Sequence, residues 1–194
     1  MLERERWEID GSKSKLAFAL RHLVIAEIKG QFKDWGGALL LDRAHPGRSF
    51  LEIWIDLASV DTDSAERDAH LRSAEFLDVA RFPLAVFRST GIALRADGDA
   101  VVSGRLDLHG ITRHVELTVV SQETWGRDAG SLRAGYTARG ELDRQGFGLH
   151  WNQDLDVGGF VLGDKVELTA QVELLRTAEI IRPSDGDGAA AGAG

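Results

Sequence analysis

Alternation with a period of two constrains this chain more than any other feature. Leu16, Phe18 and Leu20 alternate with Lys15, Ala17, Ala19 and Arg21, and Ile28, Gly30 and Phe32 alternate with Lys29, Gln31 and Lys33. Successive strand residues point to opposite faces, so this is the pattern of half-buried strands. It recurs at Leu51, Ile53, Ile55 and Leu57, at Val102, Gly104, Leu106 and Leu108, and at Ile111, Arg113, Val115, Leu117 and Val119. Later strands are expected over Leu132 to Ala138 and Val166 to Leu174. His109-Gly110 is too short a link for a parallel crossover, and Asp97-Gly98 is a tight-turn signal, so neighbouring strands are expected to be antiparallel. About eight or nine strands at even spacing predict an all-β barrel or sandwich.

One helical interruption is expected between Thr62 and about Ala80. Asp63 followed by Glu66 offers a capping box, the residues from Ala65 to Leu71 are mostly good helix formers, and Pro83 stops continuation. With 194 residues and 43% hydrophobic content, one domain with a sizeable core is expected. The absence of Cys excludes disulfides and thiolate metal sites. A formal charge of −8 argues against a basic face for nucleic acid. No apolar run approaches the ~18 residues of a membrane span, and Arg21-His22 interrupts the nearest apolar stretch before it forms an export signal, so no membrane insertion and a cytoplasmic location are expected. From Arg182 onward the chain has no large apolar residue to offset its ordering entropy, and the segment 179–194 is expected to be a disordered tail.

The residues offer little for covalent or metal chemistry. Six His are present, yet none form an H-x-x-x-H pair, and His109 and His114 flank a hairpin without needing to converge. No G-x-S-x-G elbow occurs. No catalytic residue, metal or cofactor is therefore expected. Arg67 and His70, three apart on the short helix, point the same way while Asp68 points elsewhere. With Arg113 they could offer positive charge to a diphosphate or carboxylate; alternatively Arg67 is tied to a loop carboxylate and His70 caps backbone.

The opening, through Trp7, Ile9, Asp10, Ser14, Phe18 and His22, resembles the N-terminal signature of YceI-like proteins, and the resemblance continues along the chain. Gly30-Gln31-Phe32 with Gly37 is similar to that family's second-strand segment. Arg67-Asp68-Ala69-His70-Leu71-Arg72-Ser73, followed by Phe76, Asp78 and Val79, is similar to its helix and is the most specific match. Phe82-Pro83, Phe87 to Thr90, Gly104 to Leu106, Leu108 to Arg113, Val115 to Leu117, Arg144, Phe147 to Leu149 and Gly163 to Leu168 follow in order.

The resemblance implies a lipocalin-like antiparallel eight-stranded barrel with one short helix, spanning residues 5–178. It also implies a non-catalytic carrier of a long-chain lipid such as a polyisoprenoid, held in a barrel tunnel, and a self-associating dimer. Periodicity alone leaves open which strand face turns inward. The expected lining residues are Phe18, Phe32, Ile53, Trp54, Phe87, Leu106 and Leu117, with Gly104 and other small residues leaving room, and His22, Arg67, His70 and Arg113 near a polar head. Two alternatives stand beside this reading: an enzyme using His22, Arg67, Asp68 and His70 on a lipid-like substrate, and a packed-barrel stress or interaction protein.

Overall fold

The computed structural model describes residues 4–22, 27–95, 99–128, 131–150 and 162–181. Eleven strands and one α-helix follow one another as β1 (Arg4–Ile9), β2 (Lys15–His22), β3 (Glu27–Phe32), β4 (Trp35–Leu41), β5 (Phe50–Asp56), β6 (Val60–Asp61), α1 (Ala65–Arg72), β7 (Leu84–Leu94), β8 (Ala100–Leu108), β9 (Ile111–Asp128), β10 (Ser131–Asp143) and β11 (Leu162–Ile181). Strands β1, β4, β5, β7, β8, β9, β10 and β11 pair in that order, and β11 returns to β1, closing an eight-stranded antiparallel barrel. Closure removes the unpaired edges that an open sheet would expose.

The barrel bends where it closes. Leu174 to Ile181 of β11 pair with β1, whereas Val166 to Gln171 on the same edge pair with β2. β2 in turn pairs with β3, and β3 with β6. Thus β1 with β2, and β3 with β4, each behave as one kinked stave. The expected strands at 16–20, 28–32, 102–108, 111–119, 132–138 and 166–174 lie in β2, β3, β8, β9, β10 and β11, and the one at 51–57 lies in β5 except for Leu57, which opens a 3-10 turn. The expected tail overlaps the last three residues of β11, and from residue 182 it lies outside the described residues, as do Asp97 and Gly98.

Burial fixes the inward face. Along β8, Ala100, Val102, Gly104, Leu106 and Leu108 are buried while the residues between them are more exposed. The β8–β9 turn is built from His109 at φ 54° and Gly110 at φ 72°, the two positive angles that a two-residue hairpin of matching twist requires. β7 changes phase: a bulge between Ser89 and Gly91 moves the inward set from Ala85, Phe87 and Ser89 to Ile92 and Leu94.

The helix begins one residue later than the capping box predicts. Asp63 takes a positive φ of 61°, and Ser64 becomes the N-cap, its Oγ accepting from the Arg67 N–H at 3.5 Å. Helix α1 and the turns after it close one end of the barrel, where Leu57, Val60, Leu77, Phe147 and Leu149 form a buried floor. At the other end Trp7, with Ala134 and Leu174, forms a second apolar cluster.

Candidate functional site

Between these two clusters lies a cavity of about 550 Å³, lined almost wholly by aliphatic and aromatic side chains from the inward faces of the strands. A well-packed interior contains few voids larger than a water molecule, so a space of this size belongs to the class of binding sites.

Glycine keeps the lumen open, although by a different route from the one the sequence suggests. The inward glycines leave no gaps, because neighbouring rings fill them. Phe18 lies over Gly30 and Phe87 over Gly104, so that an added Cβ at either position would collide with the ring. Leu117 leans over Gly140 in the same way, 2.6 Å from where a Cβ would stand. Each large side chain is thereby laid flat along the wall instead of across the axis. Ala138 and Ala170, two small residues that face one another across β10 and β11, both line the cavity. Ala17, Ala19 and Ala38 alternate with inward residues and belong to the outer face.

Phe18, Phe32, Ile53, Phe87, Leu106 and Leu117 all line the cavity. Gly104 is on the inward face beneath the Phe87 ring and does not itself reach the lumen. Trp54 departs from expectation. It is on the outer face of β5, 39% exposed, with its indole over Gly36, because the inward residues of that strand are Leu51, Ile53 and Ile55. Arg113 is exposed and also does not line the cavity; its Nε donates to the Gly146 carbonyl at 3.0 Å. His22 ends β2, and its side chain lies outside the described residues, as do Trp151 and the Trp125 side chain.

Four polar side chains reach the cavity wall: Arg67, His70, Tyr136 and Arg144. Arg67 is held by Thr62, donating from Nε to the hydroxyl at 2.8 Å and from Nη2 to the carbonyl at 2.6 Å. The expected loop carboxylate partner is replaced by this residue. Thr62 Oγ1 in turn donates a hydrogen bond to buried Asp68 Oδ1 at 2.6 Å, and the Thr62 N–H donates to the same oxygen at 2.9 Å. Arg67, Thr62 and Asp68 thus form one relay that fastens α1 to the chain ahead of it. His70 Nε2 is 3.1 Å from Glu75 Oε2, a side-chain partner just beyond the helix.

Arg144 is the most deeply buried cation at the wall. Its guanidinium donates to the carbonyls of Leu149, Leu162 and Gly163 at 2.6, 3.0 and 2.9 Å, clamping the two chain segments that flank residues 151–161. Burial raises the Tyr136 hydroxyl above its ordinary pKa, against the opposing field of Arg43. Neither residue is singled out by periodicity: Tyr136 reads as one more alternating apolar position and Arg144 as a charge after a strand.

Chemically, this wall can exclude water from a long apolar chain and offer a few donors at its ends. Arg67 Nη1 makes no hydrogen bond among the described residues, which leaves donors available beside the lumen. Of the residues of the enzyme alternative, Asp68 and Arg67 both hydrogen-bond to Thr62 and His70 lies beside Glu75, while the His22 side chain lies outside the described residues. Among the described residues no group of His, Asp and Glu is arranged to hold a metal ion. None of the described helices is long and apolar enough to cross a membrane.

Comparison with known proteins gives a consistent result. The sequence matches the YceI-like domain over residues 7–174. Protein YceI of Salmonella newport is 36% identical over 165 residues, which cover 84% of this chain and 82% of that protein, and Protein YceI of Salmonella arizonae matches to the same extent. Among solved structures, Burkholderia cenocepacia BcnA superposes with a TM-score of 0.72 at 20% identity, covering 85% of this chain and 98% of the other. A polyisoprenoid binding domain from Saccharophagus degradans superposes with a TM-score of 0.65 at 17% identity, covering 88% and 98%. The Campylobacter jejuni YCEI protein gives 0.66 at 23% identity, covering 82% and 90%.

Proposed function

The chain belongs to the YceI-like family, and we propose that it is a non-catalytic binding protein that carries one long-chain apolar or amphiphilic lipid inside its barrel. The observation that carries this reading is the 550 Å³ apolar cavity, which a merely packed barrel would not contain. The likeness in fold to a polyisoprenoid binding domain supports the ligand class. At about 0.8 kcal/mol for each methylene withdrawn from water, ten methylenes contribute on the order of 8 kcal/mol before ordering costs, so affinity needs no elaborate polar recognition. Arg67 and His70 would meet the polar head, Phe18, Phe32, Ile53, Phe87, Leu106 and Leu117 the chain. Cytoplasmic residence and a homodimer are carried with this reading; cell fractionation and light scattering test them.

The decisive experiment is mass spectrometry of organic extracts from purified protein, with displacement of cis-parinaric acid as the solution counterpart. A co-purifying long-chain lipid that competes with the probe is the expected result. Protein that retains no lipid and takes up no probe would sink the reading and leave the packed barrel in its place.

A further inference from the structure

Four large apolar side chains are exposed among the described residues: Trp54, Leu84, Leu94 and Val120. Leu94 is the most exposed of them, at 57%, and of the four it alone also lines the cavity. A side chain that meets both water and the lumen stands at a mouth. We propose that the rim around Leu94 docks the barrel on an anionic lipid surface, so that a lipid passes between bilayer and lumen at this point. The delivery role rests on the carrier reading above; the docking surface itself does not.

Two connections build the rim. Leu94 pairs with Ala100 near the tip of the β7–β8 hairpin. β5 pairs with β7 only as far as Glu52 and Arg88, and β7 runs on to Leu94 with the 3-10 turn Pro46–Arg48 of the β4–β5 connection packed against it. Elsewhere at this end the barrel is plugged. Trp7 is only 2% exposed, its indole N–H donates to Glu5 at 3.1 Å, and Glu5 also accepts from Arg43 Nε at 2.9 Å, with Arg176 Nη1 at 3.7 Å.

Charge selects the partner. Arg48 and Arg95 flank Leu94 on the two connections, are exposed, and make no ion pair among the described residues. The neighbouring acids are engaged: Glu5 holds Arg43 and Arg176, and Asp42 lies 3.7 Å from His45 Nδ1. Two uncommitted guanidinium groups beside an exposed leucine therefore sit on one rim of a chain whose formal charge is −8. Guanidinium pairs with phosphate through two parallel hydrogen bonds, and each arginine held near an anionic leaflet strengthens association about fivefold. The apolar side chain seats at the boundary of headgroups and acyl chains while the cations stay among the phosphates. Docking also removes a barrier, because every methylene that crosses water disfavours transfer about fourfold.

The experiment is co-sedimentation of the intact protein with phosphatidylcholine vesicles, with and without ~30% phosphatidylglycerol. Binding is expected to the anionic vesicles alone and to weaken with added salt. Arg48→Glu with Arg95→Glu should weaken it at least tenfold, and Leu94→Ser should weaken it further. Arg105→Glu with Arg139→Glu, exposed positions on the outer faces of β8 and β10, makes the same change in net charge and should leave most of the binding. Uptake of cis-parinaric acid from solution should be unchanged in the Arg48/Arg95 pair, since neither residue lines the cavity. Absence of vesicle binding, or equal losses in the two double variants, would overturn the docking surface and leave the carrier reading standing. Light scattering that shows the Arg48/Arg95 pair splitting an oligomer, with no vesicle binding by the parent, would overturn it in favour of a contact between copies. Vesicle binding by a protein that takes up no probe would keep the docking surface and overturn the carrier reading.

Discussion

The Phe87 ring lies across the Cα of Gly104 on the neighbouring strand, and a Cβ there would meet the ring and, at 2.6 Å, the Arg88 carbonyl oxygen. Because the second obstacle is backbone, it cannot swing aside as a flexible side chain would. Gly104→Leu should therefore lower stability by about 1 to 3 kcal/mol through overpacking, whether or not the barrel carries a ligand. Urea unfolding measures it. A variant as stable as the parent would mean that the ring does not occupy this place, and the flattened wall that keeps the lumen open would lose its support.

Much of the barrel is legible in the sequence because the signal is geometric. In β8 the alternation of Val102, Gly104, Leu106 and Leu108 with Ser103, Arg105 and Asp107 leaves one face apolar, and that face is the buried one. The signal fails where the backbone changes phase. The bulge in β7 after Ser89 puts Ile92 and Leu94 out of step with Ala85 and Phe87, and two glycines in β4 blur its pattern. Trp54 shows the limit for the site: size and apolarity suggested a lining residue, but position parity decides the face, and parity needs a reference that only the closed barrel supplies. The roles of Arg144 and of the Thr62 to Asp68 relay depend on contacts made after folding, to which periodicity is blind.

Asp68 accepts both the N–H and the hydroxyl of Thr62 in a buried setting, whereas Arg67 reaches the same residue from a more exposed position. Removing a buried acceptor strands its donors. Asp68→Ala should cost about 2 to 4 kcal/mol and Arg67→Ala about 1 to 3 kcal/mol. Arg67→Ala should in addition weaken a fatty acid more than the corresponding alcohol, since only the carboxylate gains from the guanidinium. Equal losses for the two ligands would remove Arg67 from the head-group site and leave it a purely structural residue.

The ion cluster over Trp7 predicts a pH dependence. The Arg43 hydrogen bond and charge hold the Glu5 carboxyl below its ordinary pKa, against the opposing effect of burial. A depressed folded-state pKa means that the unfolded chain takes up a proton first, so the stabilisation is complete above the ordinary glutamate value near 4.5 and is lost as pH falls through the lowered folded value. Glu5→Gln should therefore be less stable than the parent by roughly 0.5 to 1 kcal/mol at neutral pH, the scale of a partly exposed pair. The difference should shrink in acid and vanish below both values. Thermal melts of the two proteins from neutral pH downward check this; a gap that stays constant into strong acid would assign the effect to the lost packing on Trp7 instead of the charge.

Ala138 and Ala170 provide the test that Gly104 cannot. They face one another on adjacent strands and border the lumen, so a larger side chain there has empty space ahead of it instead of a ring or a carbonyl. Ala138→Phe should fill part of the 550 Å³ cavity while leaving unfolding stability within about 1 kcal/mol of the parent, or raising it as cavity-filling changes commonly do. Displacement of cis-parinaric acid should weaken at least tenfold, because the ring occupies volume the chain would otherwise take. The two readouts must be taken together. Lost binding with retained stability locates the ligand between β10 and β11; full binding in a stable variant would show that the chain lies elsewhere; and a loss of several kcal/mol would show that the space between the two alanines is already filled.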